Sequence, residues 1–109
     1  MTCKPWDVVT VPFPFTDRDA QKKRPAVVLS KESFNENGFT LLAMITTSEL
    51  PWPTDTPIQN LVSAGLSHPC VIRCKLFTLD NRLLLRTIGH LSESDITPLT
   101  SALKTILPF

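Results

Sequence analysis

No run of apolar residues in this 109-residue chain approaches the roughly 18 that a membrane-crossing helix requires, which excludes a helical bilayer span. The opening Met-Thr-Cys-Lys-Pro-Trp lacks the apolar stretch of a secretory signal, so a cytoplasmic location is the expectation. An excess of one charge is missing too. Eleven Lys and Arg against ten Asp and Glu leave a net +1, so bulk electrostatics offers nothing to nucleic acid and any such activity must rest on local clusters. No internal repeat, low-complexity run or linker divides the chain, and residues 1–109 read as one domain with one core. With 42% hydrophobic and 19% charged residues, a disordered tail is excluded. Cysteine is scarce and odd in number, at three. Cys70 and Cys74 lie four apart in a segment that reads as a strand, which puts their α-carbons roughly 13 Å apart. A disulfide needs less than about 7 Å, so none joins them there. His68, Cys70 and Cys74 gather three possible zinc ligands, but not at the spacing of a known zinc module. Buried cysteines serve as small hydrophobes, and no metal or other cofactor is expected.

What is present is concentrated in residues 7–30, DVVTVPFPFTDRDAQKKRPAVVLS. An alternating strand over residues 7–13 puts Val9, Val11 and Phe13 on one face and Val8, Thr10 and Pro12 on the other. Pro12 and Pro14 donate no ladder hydrogen bonds, so this strand ends at a sheet edge or a bulge. Residues 16–23 read as a polar loop. Lys22-Lys23-Arg24 then delivers Pro25 into a second strand, residues 26–30, whose Ala-Val-Val-Leu is apolar on both faces and so expected to be wholly buried. The arrangement sets a guanidinium at the rim of a rigid β-core, where a phosphate can be held.

Asn35-Glu36-Asn37-Gly38 supplies turn chemistry before a third strand, residues 40–46. A proline-punctuated loop, SELPWPTDTP, leads to a short strand expected near residues 58–62. Residues 70–77 alternate most clearly. Cys70, Ile72, Cys74 and Leu76 read as core, while Val71, Arg73, Lys75 and Phe77 face the other way and lift two cations onto an exposed surface. A further strand is expected within residues 83–91. The period then changes: Ile96, Leu99, Leu103 and Ile106 recur at helical spacing, with Ser92 or Ser94 as cap and Glu93 and Asp95 near the positive end. Pro98 belongs in a first turn, which would delay the helix to Thr97. The expected fold is mainly β, a small, strongly bent barrel of five or six short strands with a C-terminal amphipathic helix packed against it.

If the second and third strands form a hairpin with Ser30 opposite Thr40, every cross-strand pair sums to 70, and Arg24 falls opposite Thr46. A guanidinium and a hydroxyl then meet at one end of the sheet and can grip a phosphate, one through its planar fork and one through a single hydrogen bond. The plainer reading is a surface cation beside a strand end. Lys22–Lys23–Arg24, Arg73 with Lys75, and Arg82 with Arg86 each also read as ordinary solvated faces.

These pieces, taken in order, resemble the MazF/PemK-like toxins, bacterial ribonucleases of toxin–antitoxin pairs. The resemblance rests on VPFPFTD, Lys-Arg-Pro-Ala-Val-Val-Leu, Ala43-Met44-Ile45-Thr46-Thr47, Val71-Ile72-Arg73-Cys74, Leu76-Phe77-Thr78-Leu79-Asp80 and Ile88-Gly89-His90-Leu91-Ser92, and it covers nearly the whole chain. It implies a dimerising SH3-like barrel that cleaves single-stranded RNA without a metal, is silenced by an antitoxin protein, and meets DNA only indirectly through that antitoxin. The family's catalytic arginine and threonine fall on Arg24 and Thr46. Arg73 occupies the place of an arginine that contributes in some members. Lys75 stands where those members carry an aspartate proposed as a base. A first-loop histidine of some relatives is absent, with Asp17, Arg18 and Asp19 in its vicinity, and Trp6 replaces the usual glycine before the first strand. The general base is therefore left unassigned.

In the chemistry so implied, the ribose 2′-hydroxyl attacks the neighbouring phosphorus, the 5′-oxygen leaves, and a 2′,3′-cyclic phosphate remains. The substrate carries its own nucleophile, so the protein has to hold in-line geometry and stabilise charge on the non-bridging oxygens. Arg24 suits that electrostatic task and Thr46 the orientation of the phosphate. Lys22, Lys23, Asp17, Arg73 and Lys75 are the expected RNA-binding residues. Trp52 reads either as a stacking platform for a base or as a hydrophobic plug over the barrel end. A catalytically inactive SH3-like module that binds RNA or protein is the alternative.

Overall fold

A computed structural model describes residues 1–15 and 18–109. Six strands, β1 (Asp7–Phe13), β2 (Lys22–Val28), β3 (Phe39–Thr46), β4 (Thr56–Pro57), β5 (Val71–Asp80) and β6 (Arg86–His90), form one curled antiparallel sheet in the order β4-β5-β3-β2-β1-β6. Two one-turn helices, α1 (Glu32–Asn35) and α2 (Leu61–Ala64), interrupt it, and α3 (Glu93–Ile106) closes the chain. The expected mainly β, barrel-like architecture with a C-terminal helix is the one found. Among the described residues no helix is long and apolar enough to cross a membrane.

The sheet is buried on both sides, and the sequence of β2 shows why. Ala26, Val27 and Val28 expose nothing, so successive residues of one strand feed two separate cores. Val27 joins Val8, Ala43, Ile45, Ile72 and Leu99 in one cluster, whereas Ala26 and Val28 join Cys3, Val9, Val11 and Leu42 in the other. The hairpin register is the expected one: Ala26 pairs with Met44, Val27 with Ala43 and Val28 with Leu42, each summing to 70. That ladder begins at Ala26, just after Pro25, which has no N–H to contribute. β2 nevertheless starts earlier than expected, because Lys22 to Pro25 pair with β1 instead. On its other side β1 meets β6 only as far as Thr10, so Pro12 and Phe13 do lie at an edge.

Three expectations change. The short strand near residues 58–62 is instead β4 followed by α2. Asn60 caps that helix by accepting from the Ser63 N–H (3.0 Å), and Gly65 ends it at φ 74°. Asp95, wholly buried, accepts from the backbone N–H groups of Gln59 (2.7 Å) and Asn60 (3.0 Å), holding the segment in place. Those bonds also anchor the first turn of α3. The helix therefore begins at Glu93 after Ser92, and Pro98 stands in its second turn rather than its first. Finally, β5 bulges at Cys74 and Lys75, since Ala43 pairs with Leu76 but Met44 with Arg73. Cys74 consequently sits half-buried at the bulge while Ile72 fills the core.

Backbone meets backbone at one point. A Cβ on Gly89 of β6 would lie 2.2 Å from the carbonyl carbon of Ala64, and one on Gly65 would lie 1.9 Å from the Ile88 oxygen. Only glycine permits α2 to rest directly on β6, which places the loop after α2 against one end of the sheet.

Candidate active site

Arg24 enters the site from β2 at the last position before the proline. Its guanidinium carbon lies 4.8 Å from the centroid of Phe13, the ring of the Pro-Phe-Pro-Phe motif one strand over. Phe13 is itself braced edge-on by Phe15 (centroids 5.6 Å), and Phe15 stacks flat on Phe77 of β5 (4.5 Å). A row of three rings thus sets the arginine's position. Its Nε is buried and finds no hydrogen-bond partner among the described residues. Phe77, expected on an exposed face, is half-buried at the end of this row.

Thr46 closes β3, and its Oγ1 accepts from the Ser48 N–H at 3.1 Å. The hydroxyl proton remains for another acceptor. Arg24 and Thr46 border the same cavity, about 240 Å³, together with Lys23, Ser67, His68 and Cys70. A second hollow of about 240 Å³ adjoins it across Thr46, Thr47 and Cys70, and reaches Pro57 and Val71. Burial, with the nearby Asp95 carboxylate second, pushes the Cys70 thiol above the usual cysteine range. Among the described residues no three of His, Cys, Asp or Glu converge as metal ligands would.

The remaining expected site residues are distributed unevenly. Lys22 is exposed on β2. Lys23 borders the cavity, but its Nζ donates to the Arg18 (3.2 Å) and Ala20 (2.8 Å) carbonyls, drawing the preceding loop over the strand. Arg18 in turn reaches the carbonyls of Arg82 (2.8 Å) and Leu84 (3.1 Å). Lys75 is exposed at the bulge of β5. Asp17 lies outside the described residues.

Arg73 departs most from expectation. It is not lifted to the surface beside Lys75 but is only 8% exposed. Its Nε and Nη2 donate to the two carboxylate oxygens of Asp55 (3.2 and 3.0 Å), and Nη2 also donates to the Leu50 carbonyl (2.7 Å). Trp52 covers it, with its ring centroid 5.0 Å from the guanidinium carbon. The paired guanidinium holds the Asp55 carboxyl below the usual carboxylate range. Arg73 therefore clasps the loop that carries Trp52, and Trp52, still 43% exposed, lies over that cation rather than plugging an apolar barrel end.

Three features of this site escaped the sequence reading: the aromatic row, the Asp55 clasp and the cavity position of His68. The Phe-Pro-Phe repeat announces the first, because Phe13 shares the alternating face of Val9 and Val11. The other two depend on loops whose path no local pattern specifies.

Comparison with known proteins agrees with this architecture. Similar in structure is the Mycobacterium tuberculosis toxin MazF-mt6, with TM-score 0.74 and 25% identity over 91% of this chain and 93% of that one. An endoribonuclease from a mycobacterial species, solved in complex with its cognate antitoxin, gives TM-score 0.76 at 16% identity, covering 98% of both chains. The MazE–MazF complex from Deinococcus radiodurans gives 0.77 at 18% identity, covering 100% of this chain and 98% of that one. No curated protein matches by sequence. The family profile described as PemK-like, MazF-like toxin of type II toxin-antitoxin system matches residues 4–107, and the chain belongs to that family.

Proposed function

We propose that this chain is a sequence-specific endoribonuclease that cuts single-stranded RNA, mRNA included, through attack of the ribose 2′-hydroxyl, and thereby inhibits translation and growth. The observation that carries the reading is the shared cavity bordered by Arg24 and Thr46 at one end of the sheet. The phosphate enters it, and Arg24 neutralises charge building on the non-bridging oxygens. Its footing on the Phe13 ring means little reorganisation is needed as that charge develops. The Thr46 hydroxyl, whose oxygen is already held by the Ser48 N–H, donates to the phosphate and fixes its attitude. The products are a 2′,3′-cyclic phosphate and a 5′-hydroxyl.

The same reading assigns the surroundings. Lys22 and Lys23 follow the backbone of the strand, giving salt-sensitive binding. The exposed face of Trp52 receives a splayed base, and the hollow beyond Thr46 receives the neighbouring nucleotide. Arg73 serves the RNA through the Trp52 loop that it holds, and Lys75 offers a further cation. Residues 1–109 work as one domain in a homodimer, in the cytoplasm. An antitoxin protein is the inhibitor, and through it the pair meets DNA.

Single-stranded RNA incubated with purified protein in excess EDTA provides the test. Cyclic phosphate ends are expected, with a rate that drops about 100- to 1,000-fold in Arg24→Ala. RNA of diverse sequence left intact by the unaltered protein would overturn the reading in favour of an inactive binding module.

A further inference from the structure

We propose that His68 is the proton acceptor of this site, taking the 2′-hydroxyl proton as the ribose oxygen attacks phosphorus; the proposal rests on the endoribonuclease reading. The reaction needs a group that removes a proton near neutral pH, and the described residues offer few. Besides His68, the titratable side chains bordering the cavity are Lys23, Arg24 and Cys70. Lysine and arginine are cations already, and arginine does not release its proton in proteins. Lys23 is further committed to two loop carbonyls. The Cys70 thiol is pushed up by burial, which suits it less to give or take a proton at neutral pH. No carboxylate from the described residues borders the cavity. Imidazole is the side-chain type that exchanges a proton between about pH 5 and 8.

Geometry supports the same assignment. Ser67 Oγ lies 2.9 Å from His68 Nδ1. With that hydroxyl accepting from Nδ1–H, Nε2 carries the lone pair and is the nitrogen left for substrate. The ring belongs to the loop between α2 and β5. One end of that loop is set by the Gly65–Gly89 backbone contact, and the other by the Ile58 N–H donating to the Cys70 carbonyl at 3.1 Å. His68 thus borders the same cavity as Arg24 and Thr46 but comes from a different segment of the chain, so a base and a phosphate clamp are supplied to one space by separate elements. In the step, the 2′-O–H proton passes to Nε2 as the O2′–P bond forms and the P–O5′ bond breaks. The departing 5′-oxygen takes a proton from water, and the imidazolium returns its own to solvent after the product leaves.

The experiment measures cleavage of a single-stranded RNA by the full chain, by Arg24→Ala, by His68→Ala and by Ser67→Ala, in EDTA. His68→Ala is expected to lose about 100-fold or more in kcat with KM within about twofold, and to lose the pH dependence of kcat between about pH 5 and 8. Added imidazole should restore turnover, and substituted imidazoles should do so in rising order of basicity. Ser67→Ala, which frees the ring to turn, should lower kcat about fivefold. His68 is exposed, so folding is preserved, and a circular dichroism spectrum checks it. Cleavage by His68→Ala at the rate of the unaltered protein overturns the assignment while leaving the endoribonuclease standing. So does rescue that falls with basicity, which would mark a proton donor. Absence of cleavage by every protein, the unaltered chain included, overturns both.

Discussion

Replacing Asp55 by alanine tests whether Arg73 is a structural clasp. The two side chains are 10% and 13% exposed and joined by two hydrogen bonds of 3.2 and 3.0 Å, so the pair is close to fully desolvated. Removing one member of a buried pair leaves the other uncompensated, which costs about 3–5 kcal/mol. The Arg73 guanidinium keeps the Leu50 carbonyl and the Trp52 face, and its residual exposure lets water reach it, which brings the expected loss to about 2–3 kcal/mol. At about 4 °C per kcal/mol for a domain of this size, Asp55→Ala should melt about 8–12 °C lower by circular dichroism. The sign of the pH dependence follows from the carboxyl being held below its unfolded value. Its stabilisation is fully present above the unfolded pKa of about 3.9 and is lost as pH falls through the folded value. The gap in Tm between the two proteins should therefore be constant from about pH 6 to 8 and narrow below about pH 4. A second variant, Asp55→Leu with Arg73→Met, should recover most of the loss by replacing charge with packing. A drop of less than about 2 °C in Asp55→Ala at neutral pH, or a gap that widens in acid, would falsify this account.

Two further outcomes follow from the geometry. Phe13→Ala removes the ring under Arg24, an interaction of about 1 kcal/mol, and should lower kcat for RNA about fivefold while Phe13→Trp, which keeps an aromatic face, loses less; unchanged turnover in the alanine variant would show that the ring does not position the arginine. Gly89→Ala drives a methyl to 2.2 Å from the Ala64 carbonyl carbon, where only backbone can yield, and should cost about 3 kcal/mol, seen as a fall of about 12 °C in Tm; a fall under about 4 °C would mean that α2 and β6 separate cheaply.

The parts of this fold legible in the sequence are those specified by neighbours in the chain. Ala26 to Leu29 read as buried on both faces, and the turn residues Asn35 to Gly38 mark where the chain returns, so the register follows from pattern and turn together although α1 lies within the connection. It was this register that put Arg24 and Thr46 at one end of the sheet. Arg73 shows the opposite case. Alternation marks it as facing away from Ile72, which is correct, but whether that face is wet depends on where residues 48–55 travel. The partner Asp55 lies eighteen residues earlier, within a loop whose prolines say little about its course. α2 stands where a short strand is expected, and the local signals that mark it as a helix are Asn60 at its start and Gly65 at its end. The residues that lead into it are held by Asp95, which contributes from another element altogether. Trp6 stands at φ 71°, a left-handed position that glycine takes without strain, which agrees with the glycine that the resemblance leads one to expect there.

Arg24 stands on a strand that feeds both cores, whereas residues 47–54 belong to neither. Under the proposed reading, a catalytic group is thereby fixed to the buried sheet, while the Trp52 loop that would meet a base hangs outside it. Substitutions in that loop would change which nucleotides fit and leave the footing of Arg24 alone, whereas those in the stretch before Val71 would also reach Ser67 and His68.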